Sequence, residues 1–200
     1  MYGPIVATAT IINRSERYIL VMEKVTAKKA QIIQQITQYM IENGLSDVGL
    51  RKLAEVVGTS DRMLIYYFET KDELIGQVLQ AIASNLAVQL DALLGEEKRS
   101  PDLLLRELYA LSSTPQFDAI IRFWFEVIGL AAREQEPYAQ YARVIAANWY
   151  QWIEGKLEAS QTDRALPLFA ELEGRFMLKM VGIESSAFPS IVLGKKVEGG

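Results

Sequence analysis

The chain has 200 residues, half of them hydrophobic, with 21 basic and 25 acidic side chains and a formal net charge of −4. That is enough apolar material for one domain, or for one compact unit with a small subdomain at an end. Histidine and cysteine are both absent. Their absence excludes disulfide scaffolds, thiolate zinc sites, cysteine nucleophiles, Ser-His-Asp triads and di-iron bundles of the Glu-x-x-His type.

The charge is unevenly spread. Residues 24–80 carry seven basic and seven acidic side chains, whereas residues 81–200 carry twelve and sixteen. A chain of this balance does not coat nucleic acid generally, but a local face can still bind it. Residues 1–23, MYGPIVATATIINRSERYILVME, hold short apolar stretches broken by NRSER, with no positive leader before them. Neither a signal peptide nor a membrane span is expected there. Two readings of residues 1–25 stay open: a real arm, flexible or strand-like, or upstream translation ahead of a start at Met22.

From Thr26 to Gly44 the pattern is helical, with Ile33, Ile36 and Met40 on one face and a glycine to end it. LRKLAEVVG follows, placing Leu50, Leu53, Ala54 and Val57 at i, i+3, i+4 and i+7. Gly58 supplies a permissive backbone for a tight turn, and Thr59 or Ser60 can cap the next helix, which runs to about Phe68. Thr70 with Glu73 three residues on makes a capping-box pattern. The helix it opens is long, about 35 Å at 1.5 Å per residue, since Leu74, Val78, Ile82, Leu86, Leu90 and Leu93 recur along it.

Ser100-Pro101 and Thr114-Pro115 are cap-plus-proline signals and predict helices at 101–112 and 115–135. Pro137 starts another, to about residue 159. A last strong helix spans 163–182, with Glu171, Arg175 and Lys179 forming a charged face. No alternating strand pattern follows Thr26, and the fold class is all-α. Two short helices joined by a glycine turn, over Gly49 to Phe68, form a helix-turn-helix unit. Leu53, Val57 and Leu64 make its small core, Ala54 permits close crossing, and Phe68 looks inward. Arg62, Met63, Tyr66 and Tyr67 are left facing outward, where a major groove can receive them.

The stretch LRKLAEVVGTSDRMLIYYFETKDEL resembles the DNA-binding domain of the TetR family of bacterial transcriptional regulators. The resemblance rests on Leu53-Ala54, Gly58, Ser60, Leu64, Phe68, Thr70-Lys71-Asp72 and Leu74, and covers about Thr26 to Leu79. Ile65, Tyr67 and Gly49 depart from the family pattern, standing where tyrosine, histidine and a capping Ser or Thr are common. The resemblance implies a three-helix DNA-binding domain over 26–72, joined by a long helix to a helical ligand-binding and dimerisation bundle over 73–200. It implies DNA contacts from Thr59, Ser60, Arg62, Met63, Tyr66, Tyr67 and Lys71. Arg62 is suited to the O6 and N7 of guanine, and Lys71 to a phosphate beside a helix N-terminus.

The second half carries an aromatic stripe, Phe117, Ile121, Trp124 and Ile128, together with Trp149, Trp152 and Phe176. By itself such a stripe is core more often than pocket. The resemblance makes it the wall of an inducer pocket, for which Arg122, Arg143 and Asn148 are candidate polar groups. The implied protein is a cytoplasmic homodimeric repressor that binds operator DNA and is released by a small apolar ligand. It needs no cofactor or metal and is not an enzyme. The alternative is a helical ligand carrier or protein-interaction module that kept the fold and lost operator binding. Helices 137–159 and 163–182 are the expected dimer surface.

Overall fold

The structure is a computed structural model that describes residues 14–46 and 48–183. Among these residues eight α-helices and one short 3-10 segment follow one another: α1 (Arg14–Asn43), α2 (Leu50–Val56), α3 (Asp61–Phe68), α4 (Lys71–Leu94), α5 (Pro101–Leu111), α6 (Pro115–Ala131), α7 (Tyr138–Lys156), the 3-10 turns Ala159–Arg164, and α8 (Ala165–Met180). The sole strand-like pairing among them is an isolated parallel bridge between Arg99 and Leu157. Of the extension expected over residues 1–25, residues 14–25 belong to α1 and residues 1–13 lie outside the described residues, as does the tail after residue 183.

The first helix departs from expectation. It begins at Arg14, twelve residues before Thr26. Thr26 is no cap; its hydroxyl donates to the Met22 carbonyl at 3.0 Å, one turn back inside the helix. Farther along, Ile32, Ile36 and Met40 are the fully buried positions, and Ile33 is only half-buried.

The helix ends at Gly58 and Gly182 are of one kind. At Gly58 (φ 64°) the Gly58 amide donates to Glu55 O and the Thr59 amide to Ala54 O, at 3.1 and 2.9 Å. At Gly182 (φ 79°) the amides of Gly182 and Ile183 donate to Lys179 O and Leu178 O, at 3.0 and 2.9 Å. This paired pattern satisfies the last carbonyls of a helix, and it puts the glycine in the left-handed region.

The caps are met unevenly. Thr70 Oγ1 accepts from the Glu73 amide at 3.0 Å and starts α4 as foreseen. The reciprocal half of the box is missing, because the Glu73 carboxylate is engaged by Gln77 Nε2 at 2.7 Å. Ser100 and Thr114 cap nothing with their side chains; Pro101 and Pro115 start α5 and α6 by preset backbone geometry instead. α6 also stops at Ala131, four residues early, in a turn that holds Glu134 at φ 56°.

Two apolar clusters share the long helix. One joins α1–α3 to the first half of α4 through Ile36, Met40, Leu53, Phe68, Leu74 and Ile75. The other gathers Leu90 of α4 with Leu104, Leu108, Ile153 and Leu168 from α5, α7 and α8. The α4–α5 connection is pinned to the end of α7 by the Arg99 backbone, whose amide donates to Lys156 O at 2.9 Å, while its side chain, on a residue 8% exposed, donates to Glu107, Glu97 O and Leu94 O. Lys156 clamps the same junction from α7, 2.6 Å from Asp91 and 2.9 Å from Gly95 O. Its ammonium holds the Asp91 carboxyl below the usual carboxylate range.

α4 and α7 approach closely at one point. A Cβ on Gly76 would lie 2.0 Å from the Tyr141 ring, so no side chain fits there. Gly76→Ala gains helix propensity of about 1 kcal/mol but drives a methyl into the ring, an overpacking cost of about 1–3 kcal/mol. Urea unfolding should show net destabilisation of Gly76→Ala, and recovery of most of the loss in Gly76→Ala/Tyr141→Ala relative to Tyr141→Ala alone.

Candidate nucleic-acid interface and internal cavity

α2 and α3 cross over a small apolar centre. Leu53, Ala54, Val57, Leu64 and Phe68 are all buried. Gly49 starts α2 with no side-chain bond, whereas Ser60 caps α3, its Oγ accepting from the Met63 amide at 3.4 Å. With Leu64 and Phe68 turned inward, the opposite face of α3 points to solvent. Arg62, Met63, Ile65 and Tyr66 are exposed, Tyr66 most at 67%. Ile65 thus stands on the outward face, which its apolar character concealed in the sequence.

Tyr67 is divided between roles. It is half-buried against the first cluster, and its ring meets Tyr66 edge-on with centroids 5.2 Å apart. Thr59 is half-buried, and Ser60 is exposed. Arg62 makes no ion pair among the described residues and is free to reach outward. Lys71, half-buried at the first position of α4, likewise has no carboxylate partner there. The seven candidates therefore share one end of the molecule, spread over the α2–α3 turn, α3 and the start of α4.

The link between α3 and α4 is a single tight turn. Glu69 sits at φ 65°, ψ −51°, and the Thr70 amide donates to Phe68 O at 2.7 Å. This is a three-residue γ-turn in its rare, strained hand, here taken by a residue other than glycine. It leaves no slack between the outward-facing helix and the long one.

A second link ties this end to the bundle. The Glu126 carboxylate of α6 accepts the Leu45 amide at 2.7 Å, just after α1 ends. Gly44 (φ 72°) lets the carboxylate in, because a Cβ there would sit 2.7 Å from Glu126 Oε1. No sequence pattern pairs residues so far apart, and Glu126 was not among the candidates.

Inside the bundle lies a cavity of about 80 Å³, walled by α4, α5, α6, α7 and α8. Phe117, Trp124, Trp149 and Phe176 line it, as the sequence suggested. Ile128 does not; the α6 part of the lining is Phe117, Ile120, Ile121 and Trp124, and ends one turn before it. Trp152 faces a separate open groove with Asn148, and donates its indole N–H to Asp91 at 3.0 Å. A smaller space of about 40 Å³ adjoins the cavity along Leu86, Ile120, Trp124 and Trp149.

The polar groups at the cavity differ from those expected. Arg122 is exposed and pairs with Asp118 at 2.7 Å; Arg143 is exposed. Lys179 leaves the foreseen charged stripe, bonding Ser112 O and sitting 3.1 Å from Asp118, while Glu171 and Arg175 pair at 2.5 Å. What faces the cavity is Ser112 and Glu173. Glu173 Oε2 accepts the Trp124 indole N–H at 3.3 Å. Burial among apolar walls pushes its carboxyl up to about 7, with the Trp124 bond opposing. Phe169, Leu172, Glu173 and Phe176 fall at i, i+3, i+4 and i+7, so an acid within an apolar stripe was the signal available.

Residues 32–78 match the family model described as bacterial regulatory proteins, tetR family. A structure from Rhodococcus sp. described as a TetR-family transcriptional regulator superposes with a TM-score of 0.63 at 20% identity, covering 81% of this chain and 92% of that one. GusR of Salmonella enterica superposes with a TM-score of 0.53 at 16% identity, covering 74% of this chain and 81% of that one. At these identities the structural likeness is one of fold. No curated protein matches the chain.

The buried carboxyl makes stability depend on pH in a definite direction. The folded state holds the Glu173 proton up to about pH 7, while the unfolded chain releases it near the ordinary 4.5. Folded stability therefore falls as pH rises between these values and then levels off. Glu173→Gln removes the penalty. Denaturant titrations should show the variant more stable than the parent by about 2 kcal/mol above neutrality, allowing for partial solvent access, and little different near pH 4.

Proposed function

From the premise that the chain belongs to the tetR family of bacterial regulatory proteins, through residues 32–78, we propose that it is a homodimeric transcriptional repressor released from its operator by a small ligand. One observation carries the DNA-binding part. The α3 face opposite its buried Leu64 and Phe68 is exposed, and it is rigidly joined through a γ-turn to the start of a long helix. A short helix supported in this way can lie in a major groove. Arg62 reads base edges with its forked guanidinium. Thr59, Ser60, Met63, Tyr66 and Tyr67 fit against the groove walls, and Lys71 meets phosphate next to the α4 amides.

Dimerisation brings two α3 helices to successive grooves, about 34 Å apart. Supporting a surface on α7 and α8 are exposed apolar side chains, Val144, Leu166, Met177 and Val181. Ligand release follows if occupation of the cavity favours a spacing that no longer fits DNA, since a ligand shifts an equilibrium only by its differential affinity. Among the described residues no helix is long and apolar enough to cross a membrane.

The exposed Ile65 and the balanced charge of residues 24–80 favour a second reading, a carrier or interaction module without an operator. Selection from random DNA sites, followed by titration at several salt concentrations, separates the two. A specific complex whose affinity falls steeply with salt is expected; binding no better than non-specific supports the carrier. Arg62→Ala should relax preference at one base position at a cost of about 1–3 kcal/mol, whereas Lys71→Ala should weaken all sequences alike and flatten the salt slope by about one.

A further inference from the structure

The cavity contains one carboxyl and no basic group. The nearby cations are already engaged: Arg175 by Glu171, Lys179 by Asp118 and Ser112, and Arg122 by Asp118. Trp124 occupies one oxygen of Glu173, and among the described residues no donor reaches the other, Oε1. The same space is bounded by the aromatic residues Trp124, Trp149, Phe169 and Phe176. An aromatic enclosure attracts positive charge through the negative faces of its rings. An open carboxylate oxygen adds a charge-assisted acceptor for an N–H donor.

We propose that the cavity selects a small lipophilic amine in its protonated form, whose ammonium N–H donates to Glu173 Oε1 while its apolar part lies among the aromatic walls. The proposal rests on the reading of this cavity as the ligand site, and replaces the plain apolar ligand with a cation. At about 80 Å³ the cavity is smaller than an engineered cavity of about 150 Å³ that admits benzene. The amine must therefore be smaller than benzene, a short branched chain. It enters by opening the Trp124–Trp149 boundary toward the adjoining space. In the empty protein Glu173 holds a proton near neutrality. An ammonium arriving at Oε1 favours the ionised carboxylate and expels that proton.

The test uses two probes of matched shape, isobutylamine and 2-methylbutane, the first protonated and the second neutral at about pH 8. Binding to the full chain is followed by tryptophan fluorescence. The amine is expected to bind at least about tenfold more tightly than the hydrocarbon, and Glu173→Gln to abolish that preference. Calorimetry at about pH 6, where Glu173 still holds most of its proton, in buffers of different ionisation enthalpy should register proton release with the amine alone. Equal binding of both probes, or a preference that survives in Glu173→Gln, overturns the cation assignment and leaves the cavity as an apolar ligand site. Failure of both probes to bind overturns the ligand site and the cation assignment together.

Discussion

The burial of one helix holds both halves of the molecule in a fixed relation. α4 turns Leu74, Ile75, Val78 and Leu79 into the core beneath the α2–α3 pair, and Leu90 into the core of the bundle. Each such side chain is worth about 1.5–3 kcal/mol when fully withdrawn from water. Neither half can therefore slide along α4 without exposing apolar surface. The α3 face keeps its direction because Phe68 is locked beneath it, and the cavity keeps its walls because Leu86 and Leu90 form one side of it. Stability, presentation of the outward face and the shape of the cavity thus share one set of contacts.

Two further features connect the ends without relying on apolar packing. The γ-turn at Glu69 makes α3 an extension of α4, with no flexible residue to absorb a rotation. Glu126 reaches from α6 to the Leu45 amide, so the helix that carries Phe117, Ile120, Ile121 and Trp124 into the cavity also touches the base of the DNA-binding domain. A change in how tightly Trp124 packs against Glu173 has a short path to Leu45, through Glu126 only about half a turn further along α6.

The helix-turn-helix was legible because local chemistry and tertiary need coincide there. Gly58 is required by a positive φ, Ala54 by close crossing, and Leu53, Leu64 and Phe68 by a core within twenty residues. The long helix was legible for the same reason, through Thr70 and an unbroken apolar period. Legibility failed where a contact joins distant segments or a polar group is buried. Glu173 was passed over because acids usually face water, and attention went to the Glu171–Arg175–Lys179 row on the neighbouring face. Lys179 in turn leaves that row for Asp118 and Ser112, partners more than sixty residues away. Ile128 lies about three full turns after Phe117 and so on its face of α6, but the cavity lining on that helix ends at Trp124, one turn earlier, and periodicity alone gives no sign of where a cavity stops. The extension of α1 to Arg14 was hidden because NRSER reads as an interruption and is simply a polar turn of helix.

The meeting of Gly76 and Tyr141 gives α4 a mechanical character. If the helix tilts, it does so about its tightest contact, and that contact divides it unequally. At 1.5 Å per residue, Leu90 at the cavity stands about 21 Å from Gly76, and Lys71 at the start of α4 about 8 Å away. A lever of these proportions reduces displacement by nearly a factor of three and multiplies force by the same ratio. The long helix is thus geared to push firmly over a short distance at its Lys71 end. A large swing of the DNA-binding domain is not what this gearing delivers.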